Sequence, residues 1–164
     1  MQITRPDKKT ILLSRLDALL CQLLRRIAQS ADPGDSAAAR ARLYSAPTHD
    51  RDEADLIEDW RDYIEPELAR LFLSALGVIE SDLLTLRIDK KSGEGALSIP
   101  FQHLENWVHG LNQARLALAA RYDFSEAEME HPLPLDGEPR ALALLQIRFY
   151  GLLQELFLRA LEGD

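Results

Sequence analysis

The chain of 164 residues contains a single cysteine, Cys21. One thiol closes no internal disulfide and forms no cysteine cluster for a metal, and such sparing use fits a reducing compartment, so a cytoplasmic location is expected. No uncharged apolar run reaches the roughly 18 residues a membrane span requires, and no membrane partner is expected. Near the N-terminus Lys8 and Lys9 precede Ile11-Leu12-Leu13, but Arg15 and Asp17 interrupt a run already too short for a secretory signal. Basic charge is scarce too: 19 Lys/Arg stand against 27 Asp/Glu, a net −8. Residues 1–50 hold eight Lys/Arg and five Asp/Glu, which leaves −11 on the remainder. An anionic field opposes nonspecific nucleic-acid binding, which needs a cationic footprint. Arg15, Arg25 and Arg26 form only a local basic face, of the kind any amphipathic helix turns to solvent.

Signatures of catalysis are missing as well. There is no Gly-x-Ser-x-Gly elbow and no His-Glu-x-x-His pair. Lys90-Lys91-Ser92-Gly93-Glu94-Gly95 has the residues of a phosphate loop in the wrong order, with a strand following where a helix should. His49, His103, His109 and His131 are scattered. No catalytic residue, metal or cofactor is assigned.

What the sequence does contain is helical periodicity. Leu16, Leu19, Leu20, Leu23, Leu24 and Ile27 form a one-sided stripe, started by Ser14 and Asp17 as cap and reciprocal carboxylate and ended at Asp32-Pro33-Gly34-Asp35. A short alanine-rich helix is expected over Ser36–Leu43, then a loop to His49. Asp50, Asp52, Glu53, Asp55, Glu58 and Asp59 crowd the first turns of the next helix, where the exposed amides favour acids. Its inner face reads Leu56, Trp60, Tyr63 and Ile64. Pro66 suits a first turn, so the helix is broken at Glu65 and a second one buries Leu68, Leu71, Phe72, Ala75, Leu76 and Ile79. Leu83–Ile88 alternates and Ala96–Ile99 follows a glycine-containing turn, which reads as a β-hairpin at about residues 83–99, with residues 9–13 able to supply a third short strand. Pro100 opens a helix reaching about Tyr122. His131-Pro132-Leu133-Pro134 must be extended. Gly137-Glu138-Pro139 starts a last helix to about Leu161, apolar over more than half its circumference. The expected fold is mainly α: a compact single domain spanning 1–164, a bundle of about five or six helices with a small hairpin, the last helix packed centrally on the Pro100–Tyr122 helix.

That helix carries the most informative side chain. Leu104, Val108, Leu111, Leu118 and Tyr122 form one stripe, and Arg115 projects from its middle. Positions 111, 112, 118 and 119 are Leu, Asn, Leu and Ala, so no acid lies within intrahelical reach. An ion pair must come from another element, and Asp59, Asp62 and Glu155 are the candidates. If it is buried, Arg115→Ala strands the acid at a cost of roughly 3–5 kcal/mol. Otherwise the guanidinium holds an anionic ligand or a partner's carboxylate, with Asn112, His109 and Trp107 nearby. Glu105 and His109, one turn apart, make at most half a metal site.

The segment Leu111-Asn112-Gln113-Ala114-Arg115-Leu116-Ala117-Leu118, with Trp107 before it, resembles a bacterial family known only as domain of unknown function number twenty-seventeen. The order of elements fits: a leucine-rich first helix, an acidic middle helix and a final helix ending Leu156–Leu161. The resemblance covers most of the chain. It implies weight for Asn112 and Arg115 but no activity, and family genes near one for a Clp-protease adaptor imply a link to protein quality control. The residues favour a non-catalytic protein-interaction or regulatory module, binding a protein partner or a second copy through an apolar helix surface. The alternative is a small-molecule or anion-binding protein, or an enzyme, with Arg115 as anion anchor.

Overall fold

The computed structural model describes residues 1–48, 50–130 and 139–163. The extended segment expected at His131–Pro134 and the helix start at Gly137-Glu138 lie outside the described residues, as does His49. The largest departure from expectation is the β structure. In place of a helical bundle with one small hairpin, helices pack on a four-stranded antiparallel sheet of order β1-β2-β4-β3, formed by β1 (Gln2–Asp7), β2 (Thr10–Leu16), β3 (Arg87–Ile88) and β4 (Gly95–Pro100).

The central pair β2–β4 carries the burial. Ile11 faces Ile99 and Leu13 faces Leu97 across the ladder, and all four are buried. The third strand expected at 9–13 is thus central and runs on to Leu16. Its register shifts between Leu13 and Leu16, and Arg15 adopts φ +53° there. A bulge of this kind turns a strand's side chains over. It lets Leu13 and Leu16, three residues apart, both point into the core at 0% exposure. β1 escapes sequence reading because it is an edge: only Ile3 is even half-buried, Pro6 sits within it, and no alternation exists to be read. The hairpin expected from Leu83 is shorter, because Leu83 and Leu84 finish a helix and pairing begins at Arg87. Its turn hangs on Asp89, whose carboxylate accepts from the Lys91 and Ser92 amides, with Gly93 at φ +72°.

The first leucine stripe is split between β2 and two helices, α1 (Ala18–Arg25) and α2 (Ile27–Ala31). Ser14 lies in β2; Asp17 alone caps α1, accepting from the Leu20 amide at 2.8 Å. The alanine-rich helix is α3 (Ala37–Leu43), capped by Ser36. The acidic helix α4 (Ala54–Asp59) does not break at Glu65. Helical dihedrals continue through Trp60, Ile64 and Glu65 into α5 (Glu65–Leu83), and residues 60–64 widen into a π-turn in which the Glu65 N–H donates to the Trp60 carbonyl. Pro66 has no N–H for the carbonyl four residues back and its ring would crowd it; the wider turn absorbs that mismatch without ending the helix.

After the sheet come α6 (Leu104–Arg121), the short α7 (Glu126–Glu130) and α8 (Pro139–Glu162). α6 is the hub, touching α2, α3, α5 and α8. Trp107 of α6 meets Phe157 of α8 edge to face at 5.9 Å between centroids. By length and hydropathy alone α8 could cross a membrane, but half of its most apolar stretch is buried inside the protein, with Ala143, Ile147, Tyr150, Leu153 and Phe157 in the core. Its breadth of apolar surface matches its central place.

Candidate functional site

The hub helix α6 is buried on two sides. One side follows Leu104, Trp107, Leu111, Ala114 and Leu118. The other follows Gly110, Gln113 and Ala117, small or polar residues against α5 and α3. A Cβ at Gly110 would overlap the Ile79 side chain, so α5 approaches that closely only because position 110 is glycine.

Arg115 lies at the α6–α8 contact, half-buried. Its guanidinium packs over Gly151 of α8, where a Cβ would stand 3.3 Å from Nε and 3.4 Å from Cζ. Nη1 donates to Gln154 Oε1 at 2.5 Å, and Gln154 Nε2 reaches back to the Val108 carbonyl at 3.4 Å. Nε is buried without a hydrogen-bond partner. Among the described residues no carboxylate lies within ion-pair distance of Arg115. Asp59 and Asp62 stand exposed on the α4–α5 arm, and Glu155 pairs with Arg159 one turn along α8. The cross-link between elements is therefore cation to amide, in place of cation to carboxylate. Asn112 and His109 are exposed and Trp107 is fully buried, so the three residues singled out around Arg115 do not converge with it on one pocket.

Trp107 instead belongs to a cluster that sequence reading missed. Its Nε1 donates at 2.9 Å to the carboxylate of Asp82, near the end of α5, and His103 Nδ1 lies 3.0 Å from the same carboxylate. Asp82 is 5% exposed. A buried carboxylate is tolerable only with such partners. Asp82 and His103 are 21 residues apart, with β3 and β4 between them, and no local pattern links them. A second buried network joins α8 to α1 and α2: Gln146 Nε2 donates to Ser30 Oγ and to Tyr150 OH, and Tyr150 OH donates to the Leu23 carbonyl at 2.8 Å. Burial raises the Tyr150 phenol above its ordinary value, against the hydrogen bonds that lower it. Burial likewise raises the Cys21 thiol, which leaves it a weak nucleophile. No group of three or more metal-binding side chains occurs among the described residues.

The outer face of the α4–α5 arm is the other distinctive surface. α4 and the π-turn bury none of their described residues. Leu56, Tyr63, Ile64, Leu71 and Leu73 are each 43–69% exposed. The inner face expected at Leu56, Trp60, Tyr63 and Ile64 is thus mostly an outer one; only Trp60 turns inward, toward Tyr44 and Arg40 of α3 and its following loop.

No curated protein and no solved structure matches the chain. A family model described as "Domain of unknown function (DUF2017)" matches residues 5–161. That span runs from within the first strand to the last turn of the last helix, and the chain belongs to the DUF2017 family.

Proposed function

We propose that this protein is a non-catalytic interaction module of the cytoplasm, and that the α4–α5 arm is its docking face. The observation that carries the reading is an apolar face left uncovered on an arm whose other side packs inward: Leu56, Tyr63, Ile64 and Leu71 are exposed where a helix of this pattern ordinarily buries them. Ile64 and Leu71 lie two turns apart on one side. The π-turn advances the chain less per residue and brings Leu56 round toward them. An exposed apolar stripe rimmed by polar residues marks a contact surface.

Charge selects the occupant. Residues 50–67 hold nine Asp/Glu against two Arg. A symmetric dimer through this face would set like charges against each other, whereas a partner helix with an apolar stripe and a Lys/Arg rim is complementary. The single cysteine supports a reducing compartment.

The test uses two synthetic amphipathic peptides with the same leucine stripe, one flanked by lysine and one by glutamate, read by fluorescence anisotropy. The lysine-flanked peptide should bind, lose affinity with added salt, and lose it again with Tyr63→Glu or Leu71→Glu, variants that leave melting unchanged. Equal binding of the two peptides, binding of neither, or concentration-dependent self-association through the arm would refute the reading.

A further inference from the structure

A cleft of about 550 Å³ opens between α2, α3 and α5, with α6 beneath it. Its walls are Ala31, Leu43, Tyr44, Phe72 and Leu76, and the Tyr44 and Phe72 rings stack at 5.7 Å with 28° between their planes. The volume falls in the range of small-molecule sites, which pair an apolar lining with a few placed polar groups. Gln113 is such a group. It lines the cleft, is 3% exposed, and its Nε2 has no hydrogen-bond partner. The contrast with Gln146 is direct: that amide is equally buried and donates to two oxygens. A fold that satisfies one buried amide and leaves another unpaired in the wall of a cleft has a donor without an acceptor there.

We infer that the Gln113 cleft binds a neutral aromatic carboxamide, the ring lying against Tyr44 and Phe72 and the carbonyl accepting from Gln113. Arg40 stands against Asp32 and Glu80 in the same cleft, with Glu65 at 3.9 Å, so the lining is net acidic and opposes an anion; an N–H donor at Gln113 needs an acceptor, and an uncharged carbonyl supplies one without a carboxylate's charge. The same carboxylates offer acceptors to the ligand's N–H group. This site is separate from the outer face of the arm, and either can fail without the other.

The probes are benzamide and benzamidine, which share a ring and a planar head; only benzamide has a carbonyl acceptor. Side-chain amide spectra of the full chain follow Gln113. Benzamide at millimolar concentration should shift the Gln113 side-chain resonances and those of Leu43 and Phe72, with benzamidine binding about tenfold more weakly or not at all. Gln113→Leu should remove the preference for benzamide. Ala69→Trp, on the α5 wall, should fill the cleft and abolish binding of both, which keeps the test intact should Gln113→Leu fail to fold. No shift at the cleft with benzamide, equal binding of the two probes, or benzamide binding that survives Ala69→Trp would overturn the assignment.

Discussion

Arg115 lies across Gly151, its guanidinium filling the space a side chain would take on α8. The two positions form one contact: the cation is accommodated because its neighbour has no Cβ, and it is held by Gln154 with no acid present among the described residues. The penalty expected for stranding a buried carboxylate therefore does not arise. Arg115→Ala should cost about 1–3 kcal/mol, from lost stem packing and one charged hydrogen bond. Arg115→Met, which keeps the stem, should recover most of it. Gly151→Leu should cost a similar amount by displacing the guanidinium. Urea unfolding of the three variants checks these values.

Gly110 tests the α5–α6 contact. Gly110→Ala gains about 1 kcal/mol of helix propensity but drives a methyl into Ile79, and overpacking should win with a net loss of about 1–2 kcal/mol. Adding Ile79→Val should relieve the clash, so the double-mutant cycle shows favourable coupling.

The Asp82 cluster joins the end of α5 to the start of α6. Asp82→Ala leaves Trp107 Nε1 and His103 without their acceptor and should cost about 1–3 kcal/mol. Asp82→Asn keeps an oxygen for Trp107 and should cost clearly less. Thermal melts followed by tryptophan emission separate the two.

How much of this was legible depends on where each signal lives. α8 and α3 could be read from periodicity and caps because both signals are local. The sheet was legible only in part: the hairpin and a strand at 9–13 could be read, but β1 is an edge strand that half-buries only Ile3, and the bulge at Arg15 disguises the end of β2 as the front of a helical stripe. The π-turn reversed the reading of Pro66, since sequence gives no cue that a helix can widen instead of stopping. Arg115 stands out in the sequence as a cation on an apolar stripe. Its partners Gln154 and Gly151 were out of reach, because an amide and a glycine on a distant helix carry no charge pattern. Gln113 sits in the same short motif, yet its stripe of Gly110 and Ala117 has too little apolar weight to reveal a second buried side.

Two titrations follow from the geometry. Tyr150 has a raised phenol pKa in the folded chain. Its contribution to stability is therefore complete below the ordinary value of about 10 and declines as pH rises through the folded value. Phenolate absorbance should show Tyr150 titrating late, and Tyr150→Phe should remove that late step.

Glu128 behaves in the opposite sense. Ser125 donates to it from backbone and hydroxyl, as in a capping box, and Arg140 pairs with it at 2.5 Å, holding its carboxyl down at about 2. The stabilisation is present above the ordinary carboxylate value and lost as pH falls through about 2. A carboxyl-carbon NMR titration should place Glu128 lowest among the resolved glutamates, and Arg140→Gln should move it upward.

The most direct measurement of the docking face is amide chemical-shift mapping with the lysine-flanked peptide. Shifts should be confined to residues 54–73, centred on Tyr63 and Ile64, and should disappear in Tyr63→Glu. Shifts centred on the exposed leucines of α8, Leu152 and Leu158, with the arm unperturbed, would contradict the claim.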